Sequence, residues 1–288
     1  WALAKLGLPP SRIAREGPAA RPDLDAPAGS GEDLPEGLAK GFDRGDRLRR
    51  VMRRFCEHLL SIPPERVKPQ ELSNTLWALA TLGYSGAFVD HIFEVFGRRI
   101  LEQPSTMERL KPQEAKDVLW AHATLGRRND ALFHALGEHL VQPNARAFIK
   151  PQEVSMALWS FATMGLPQPR LFDELGGVLL AEPRPLNHRV IANVLWALAT
   201  VDHENPPLVA ALTAAATNPR TLRHAGEQSV ATILWAQARL AQPDRECMER
   251  LVEHLLRRGN GNGAGVAITP RGAASALWAL GRAAGSAA

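Results

Sequence analysis

Cysteine is scarce in this 288-residue chain, whose only two cysteines are Cys56 and Cys247. They lie far apart, and neither belongs to a Cys-x-x-Cys motif, so no disulfide framework or zinc site is indicated. Long apolar runs are also missing, since none approaches the roughly 20 residues needed to cross a bilayer. We therefore expect no membrane-spanning helix.

Catalytic motifs are missing as well. His134, Glu138 and His139 do not have zinc-protease spacing, and the Gly-rich run 259–265 lacks the Lys-Ser/Thr of a phosphate-binding loop. The other histidines are scattered along the chain. We expect no enzymatic activity, no cofactor, no metal and no small-molecule substrate.

Lysine is rare too, because only six of the 34 basic residues are lysines. The net charge is +4 and the sequence pI is about 9.4. One interpretation of the arginine excess is GC-rich coding DNA, which also raises Ala, Gly and Pro. The other is selection for guanidinium groups that bind phosphate and stack on bases.

Tryptophan marks an internal repeat. From Trp77 onward, successive tryptophans are separated by 43, 39, 37, 39 and 43 residues, ending at Trp278. A nearly constant period of this size is typical of stacked helical pairs. The sequence therefore predicts an all-α fold, an α-solenoid of about seven helix-turn-helix repeats of 37–43 residues, with the first and last incomplete.

The repeated unit is clearest in residues 68–83, and it returns in 111–126 and 150–165 and more weakly from Asn187, Gly226 and Thr269. Pro69 suits the first turn of a helix, where its missing N–H costs nothing. Glu71 lies where a glutamate completes half of a capping box, and Gly83 where a left-handed C-cap glycine is expected. Each unit is thus predicted to be a helix of about fourteen residues followed by a second amphipathic helix.

The N-terminal part departs from the repeat. Trp1 occupies the tenth place of the unit, so the chain is expected to begin within a helix, as a fragment of a longer protein. Residues 8–44 are rich in Pro and Gly and fit an insertion or disordered loop within the first repeat. An eroded repeat is the alternative. We predict that residues 1–288 otherwise form a single solenoid domain.

A polar stripe is predicted on the first helix of each repeat. At 100° per residue, repeat positions 3, 7, 11 and 14 lie opposite the apolar side, and position 11 is always Ala or Ser. Such side chains could contact unstacked RNA bases, one per repeat; alternatively, the stripe is only a solvated face. The candidate RNA-binding residues are Gln70, Asn74, Thr81, Gln113, Asp117, Thr124, Gln152, Met156, Thr163, Arg189, Asn193, Gln228, Thr232, Arg239, Arg271, Ser275 and Arg282.

Tryptophans at the edge of this stripe have two interpretations, a platform on which bases stack or core packing between units. Arginine clusters near the second helices are candidates for phosphate contacts, although a charged helix face is also an ordinary soluble surface. The candidate phosphate-binding residues are Arg47, Arg49, Arg50, Arg53, Arg54, Arg98, Arg99, Arg127, Arg128, Arg257 and Arg258.

The repeats resemble the octatricopeptide repeat family. The matching elements are Pro-Gln-Glu followed by Leu-Trp-Ala-Leu-Ala-Thr-Leu-Gly, complete at Pro69–Gly83 and nearly complete at Pro112–Gly126 and Pro151–Gly165. The resemblance covers nearly all of the chain outside residues 8–44. The copies from Asn187 and Gly226 depart from Lys-Pro-Gln-Glu. Heptatricopeptide repeats are similar, but less closely.

The resemblance implies an α-solenoid that binds RNA in chloroplasts or mitochondria, especially in green algae. Such proteins act in transcript stabilisation, processing, splicing and translation, and some hold fragmented ribosomal RNA within mitochondrial ribosomes. The implied partners are single-stranded or fragmented ribosomal RNA and organellar ribosomal proteins, without a membrane. A protein–protein interaction scaffold is the alternative function, because helical-pair solenoids also bind peptides.

Overall fold

The structure is a computed structural model that describes residues 44–241, 243–259 and 269–285, without the side chains of 44–49, 258, 259, 271 and 285. Trp1 and nearly all of the predicted insertion at 8–44 lie outside these residues. The described part contains fifteen α-helices and no strand, which confirms the all-α prediction there.

In chain order the helices are α1 (Arg44–Ser61), α2 (Pro69–Thr81), α3 (Ala87–Glu102), α4 (Pro104–Arg109), α5 (Pro112–Leu125), α6 (Asp130–Val141), α7 (Pro143–Arg146), α8 (Pro151–Thr163), α9 (Pro169–Leu180), α10 (His188–Thr200), α11 (Pro206–Thr217), α12 (Pro219–Leu222), α13 (Glu227–Arg239), α14 (Arg245–Gly259) and α15 (Pro270–Gly285). We call α2, α5, α8, α10, α13 and α15 the tryptophan helices, because each carries one tryptophan. The second helices are α1, α3, α6, α9, α11 and α14. The short helices α4, α7 and α12 connect second helices to the next tryptophan helix.

The predicted helix starts are confirmed in three copies. In α2, the backbone N–H of Lys68 donates to the Glu71 carboxylate at 2.9 Å. Lysine has no acceptor, so only the glutamate half of the capping box forms. Where the sequence departs from this pattern, Asn187 begins α10 as a regular N-cap, its side-chain oxygen accepting from the Val190 N–H at 2.9 Å. The other two glutamate caps are Lys111/Glu114 and Lys150/Glu153.

Glycines end three tryptophan helices as predicted. Gly83, Gly126 and Gly165 have φ of +64°, +67° and +65°, the left-handed region in which a residue without Cβ is favoured. After Gly83 the Tyr84 N–H donates to the Leu79 carbonyl at 3.1 Å, which satisfies a carbonyl that the helix end leaves open. The chain is thereby turned back towards its second helix.

Two layers of helices result from this arrangement. Each tryptophan helix packs against the next, from α2 through α5, α8, α10 and α13 to α15, and these are the most extensive helix–helix contacts. The second helices α3, α6, α9, α11 and α14 contact one another in the same order but less extensively. Equivalent residues of successive copies are therefore neighbours. The indole centroids of Trp196 and Trp235, for example, lie 6.3 Å apart.

Glycines within the second helices allow close contact with the next copy. At Gly176 of α9, an added Cβ would lie 2.7 Å from Cδ2 of Leu208, which is fully buried at the start of α11. Its neighbour Gly177 faces open space, with no atom within 4 Å of such a Cβ. Only the first glycine is therefore required for packing.

A buried histidine interrupts the apolar core between α3, α5 and α6. The ring of His122 lies edge-on to Phe93, with centroids 4.9 Å apart, and also contacts Phe133 at 6.3 Å. Its Nδ1 is 3.0 Å from the Arg127 carbonyl, so this nitrogen carries the proton and donates. Burial lowers the pKa of His122 to about 4.

Candidate nucleic-acid interface

The arginines of α1 lie mostly on an exposed surface. Arg50, Arg53 and Arg54 are exposed, whereas the side chains of Arg47 and Arg49 are outside the described residues. Arg53 pairs with Glu57 at 2.9 Å, and its guanidinium lies 4.9 Å from the centre of the Phe88 ring. In the described part, Arg54 takes part in no ion pair or side-chain hydrogen bond. It is thus available to a polyanion.

In the pairs Arg98/Arg99 and Arg127/Arg128, one arginine contacts the rest of the fold and the other is exposed. Arg99 donates to the carbonyls of Leu59 and Leu60 at 3.2 and 3.1 Å, and burial lowers the pKa of its guanidinium. It therefore caps the C-terminal end of α1 rather than facing solvent as predicted. Its neighbour Arg98 is exposed and, among the described residues, forms no ion pair or side-chain hydrogen bond.

The second pair behaves in the same way. Arg127 is ion-paired with Asp90 of α3 and lies 5.2 Å from the centre of the Phe93 ring, so it joins two copies. Burial lowers the pKa of its guanidinium. Arg128 is exposed and donates to Asp130. Of the four candidate phosphate contacts in these two pairs, Arg98 and Arg128 are exposed, whereas Arg99 and Arg127 are held by contacts within the fold.

The third pair lies near the end of α14. Arg257 is exposed and pairs with Glu253 at 3.0 Å, one helical turn away. The side chain of Arg258 is outside the described residues. Exposed pairs of this kind contribute little stability, so Arg257 is free to exchange its partner for phosphate.

Repeat position 3 forms the outermost row of the predicted stripe. Its side chains are exposed in the first four copies and half-buried in the fifth, while that of Arg271 is outside the described residues. Because successive tryptophan helices are neighbours, this row crosses them with one side chain per helix. Its described members are Gln70, Gln113, Gln152, Arg189 and Gln228.

Repeat position 7 is mostly buried, contrary to the prediction of an exposed stripe. Asn74 is exposed, but Asp117, Asn193, Thr232 and Ser275 are 8%, 1%, 4% and 5% exposed. The small residues at position 11 are buried as well, from Ala121 to Ala279. The space that they leave is filled by the neighbouring tryptophan helix. Asn74 remains exposed because no tryptophan helix precedes α2 in the described part.

The buried position-7 residues differ in how their polar groups are satisfied. Asp117 is ion-paired with Lys116, although burial raises the pKa of this carboxyl. The Thr232 hydroxyl donates to the Gln228 carbonyl at 2.9 Å. Asn193 finds no partner for either its amide nitrogen or its amide oxygen. Met156 is half-buried and needs no partner.

Repeat position 14 is only partly accessible. Thr81 is exposed, whereas three later threonines are half-buried with hydroxyls closed to solvent and without hydrogen-bond partners: Thr124, Thr163 and Thr200. Arg239 and Arg282 place their guanidinium groups 5.3 and 5.8 Å from the ring centres of the tryptophans one turn earlier. Arg282 also donates to the Ala238 carbonyl at 3.1 Å.

The six tryptophans from Trp77 to Trp278 form a row inside the described part of the protein. Trp120, Trp159, Trp196 and Trp235 are at most 5% exposed, and only Trp77 and Trp278, at the two ends of the row, are half-buried. Their rings are tilted or stacked against one another at centroid distances of 6.2–6.4 Å, except between Trp120 and Trp159. These positions support core packing and leave little ring surface for a base.

A cavity of about 620 Å³ opens between α10 and α13. Sequence analysis missed it, because it combines stripe residues of three helices with residues from the connecting segments; the stripe residues are Gln152, Arg189, Asn193, Gln228 and Thr232. Its lining residues are Gln152, Pro185, Leu186, Asn187, His188, Arg189, Ala192, Asn193, Arg220, Thr221, His224, Gly226, Gln228, Ser229 and Thr232. They include arginine and histidine but no acidic side chain.

A second cavity, of about 590 Å³, lies at the other end of the same helices. Its lining includes Asp202, Glu204 and Asp244 together with Arg239. An anionic ligand is therefore less suited to it than to the first cavity.

The described residues contain no group of three or more His, Cys, Asp or Glu residues that could hold a metal ion, and no helix long and apolar enough to cross a membrane. Both cysteines are buried, and burial raises the pKa of Cys56 to about 11 and that of Cys247 to about 12. Neither thiol is therefore activated as a nucleophile.

Comparison with known proteins gives no match from which a function could be inferred. No protein-family model matches the chain, and no curated protein matches it.

Proposed function

We propose that this chain is an RNA-binding α-solenoid of about seven helical pairs, related to the octatricopeptide repeats. The observation that carries the proposal is the row of amide and guanidinium groups at repeat position 3, which is exposed in the first four copies and places one polar side chain on each of those tryptophan helices. A row with this regular spacing suits a single strand, whose nucleotides also repeat at a regular spacing. The solenoid is supported by the packing of each helix against its counterpart in the next copy.

Phosphate contacts are proposed for the exposed arginines. Arg54, Arg98 and Arg257 extend from second helices, and a net charge of +4 favours approach of a polyanion. Arg99 and Arg127 are left out, since the fold itself uses them.

We expect the double variant Arg54→Ala/Arg98→Ala to bind all RNAs more weakly and to a similar extent. Each lost contact to a single strand lowers the slope of log K against log salt by about 0.7, so the slope should fall by about 1.4. Fluorescence anisotropy with labelled single strands between 50 and 200 mM salt measures it. Arg170→Ala is the control, because this exposed arginine pairs with Glu138 at 2.9 Å and belongs to neither predicted set. An unchanged slope in the double variant would contradict the phosphate role.

In the cell, we propose an organellar location, in a mitochondrion or chloroplast. The protein would there either hold fragmented ribosomal RNA within a mitochondrial ribosome or act as a transcript-specific stability, processing or translation factor. Crosslinking in the native organelle, followed by sequencing of the attached RNA, separates these roles. Ribosomal RNA fragments indicate the first, and a single messenger or intron the second. No RNA above background would favour the protein-interaction scaffold.

A further inference from the structure

Three buried polar groups without partners converge on the cavity between α10 and α13. Asn193 is 1% exposed, and both of its amide atoms lack a hydrogen bond. The Nε2 of Gln228 and the Nδ1 of His188 are also closed to solvent and unpartnered. All three residues line the same cavity.

The hydrogen-bonding character of these groups follows from their surroundings. The Nε2 of His188 is 2.9 Å from the Ala216 carbonyl, which only accepts, so Nε2 carries the proton. The Nδ1 of the neutral ring is then an acceptor. The Gln228 nitrogen is a donor, and the Asn193 amide offers one of each. Residues that carry both unpaired donors and unpaired acceptors thus line the same cavity.

Leaving such groups unpaired destabilises a folded protein, because each has lost water without gaining a partner. Asn193 is the clearest case, as the Asp117 and Thr232 side chains at the same repeat position are satisfied within the protein. A ligand that supplies the missing hydrogen bonds would remove this cost.

The rest of the cavity indicates the kind of ligand. Arg189 and Arg220 are exposed at its rim, and none of its lining residues is acidic. Pro185 and Leu186 add an apolar wall. A planar group with donors and acceptors on its edge, joined to a negative charge, matches all three features. An unpaired nucleotide has this chemistry.

We propose that this cavity holds one unpaired nucleobase of the bound RNA, paired by its edge to the amide of Asn193, with the adjacent phosphate at Arg189 and Arg220. The inference rests on the proposed function and makes it more specific. One base enters between two tryptophan helices, instead of every copy contacting a base at position 7. The amide is closed to solvent in the empty cavity, so entry of the base requires lining side chains to move aside.

The test compares wild-type chain with Asn193→Leu, using labelled 12-nucleotide homopolymers of A, C and U. We expect the wild type to prefer one homopolymer, and Asn193→Leu to lower the affinity for it about tenfold, towards that for the others. The melting temperature of this variant should rise by about 3 °C, because a buried unpaired amide is replaced by an apolar side chain.

Gln228→Ala removes a second donor without altering the core and should weaken the same preference. Asn144→Leu, on the exposed connecting helix α7, is the control.

The possible results distinguish failure of the proposed base pocket from failure of the proposed RNA binding. If wild-type chain binds the homopolymers and both variants keep its preference, the base pocket is excluded while RNA binding stands. If the wild-type chain binds none of the homopolymers and crosslinking in the organelle recovers no RNA above background, the proposed function itself is excluded. A loss of preference together with a higher melting temperature supports the pocket, since misfolding would lower that temperature.

Discussion

Acidification from pH 7 to pH 4 is expected to destabilise the wild-type chain by about 3 kcal/mol more than its His122→Phe variant. The folded-state pKa of His122 is about 4, below the ordinary value of 6.5, so the unfolded chain binds the proton more readily. The contribution of the neutral His122 ring to the free energy of unfolding is fully present above pH 6.5 and is lost as the pH falls towards 4. Phenylalanine does not titrate.

The histidine has a natural replacement within the chain. Phe161 occupies the same repeat position in the next copy and is fully buried, with its ring centroid 5.1 Å from that of Phe133. A phenylalanine at 122 therefore suits the same type of site. It loses the hydrogen bond to the Arg127 carbonyl, a cost that does not vary over this pH range.

Urea unfolding of both proteins at pH 7, 6, 5 and 4 measures the difference. Carboxylates also titrate over this range, but they are common to both chains and cancel in the comparison. If the free energy of unfolding falls equally in the two proteins between pH 7 and pH 4, protonation of His122 does not destabilise the folded state and the prediction is wrong. Burial also lowers the pKa of His188, so some acid sensitivity should persist in the variant.

Gly176→Ala is expected to lower the melting temperature by up to about 4 °C, whereas Gly177→Ala should raise it by about 2 °C. The two glycines are adjacent in α9, and alanine favours a helix over glycine by about 1 kcal/mol at either place. At Gly176 the new Cβ meets the buried Leu208 at 2.7 Å, and overpacking of this kind costs typically 1–3 kcal/mol. At Gly177 no atom lies within 4 Å.

Circular dichroism melting of the two variants and wild-type chain checks this expectation. Because both substitutions make the same chemical change in the same helix, a difference in sign isolates the contact between α9 and α11. Equal stabilisation by both variants would mean that Leu208 moves aside without cost and that the helices tolerate a wider spacing.

The sequence predicted the helices well, since local chemistry determines their ends. Pro69 and Glu71 at the start of α2 and Gly83 after it act within a few residues, so they are visible in one copy. The period of the tryptophans then placed the remaining copies. At Asn187 the local chemistry changed, but asparagine caps α10 with the same effect.

Exposure was harder to predict, because it depends on the neighbouring copy. A helical wheel places Asn74 and Asn193 at the same angle, yet only Asn74 is exposed. The small residues at position 11 indicate close packing of the neighbouring helix, a contact that a helical wheel of one copy does not show. Arg99 was mistaken for a surface residue in the same way, since the carbonyls that it binds lie some 40 residues earlier.

Each tryptophan helix makes its extensive contacts only with the tryptophan helices before and after it. The described part of the chain is therefore not packed around a single centre. We expect its stability to be a sum over successive interfaces, so that damage at one interface leaves distant copies folded. The terminal helices α2 and α15 each have one such interface in the described part, so unfolding should begin there. The cavity between α10 and α13 lies between two tryptophan helices that each have two such interfaces, so we expect it to open less often than the ends.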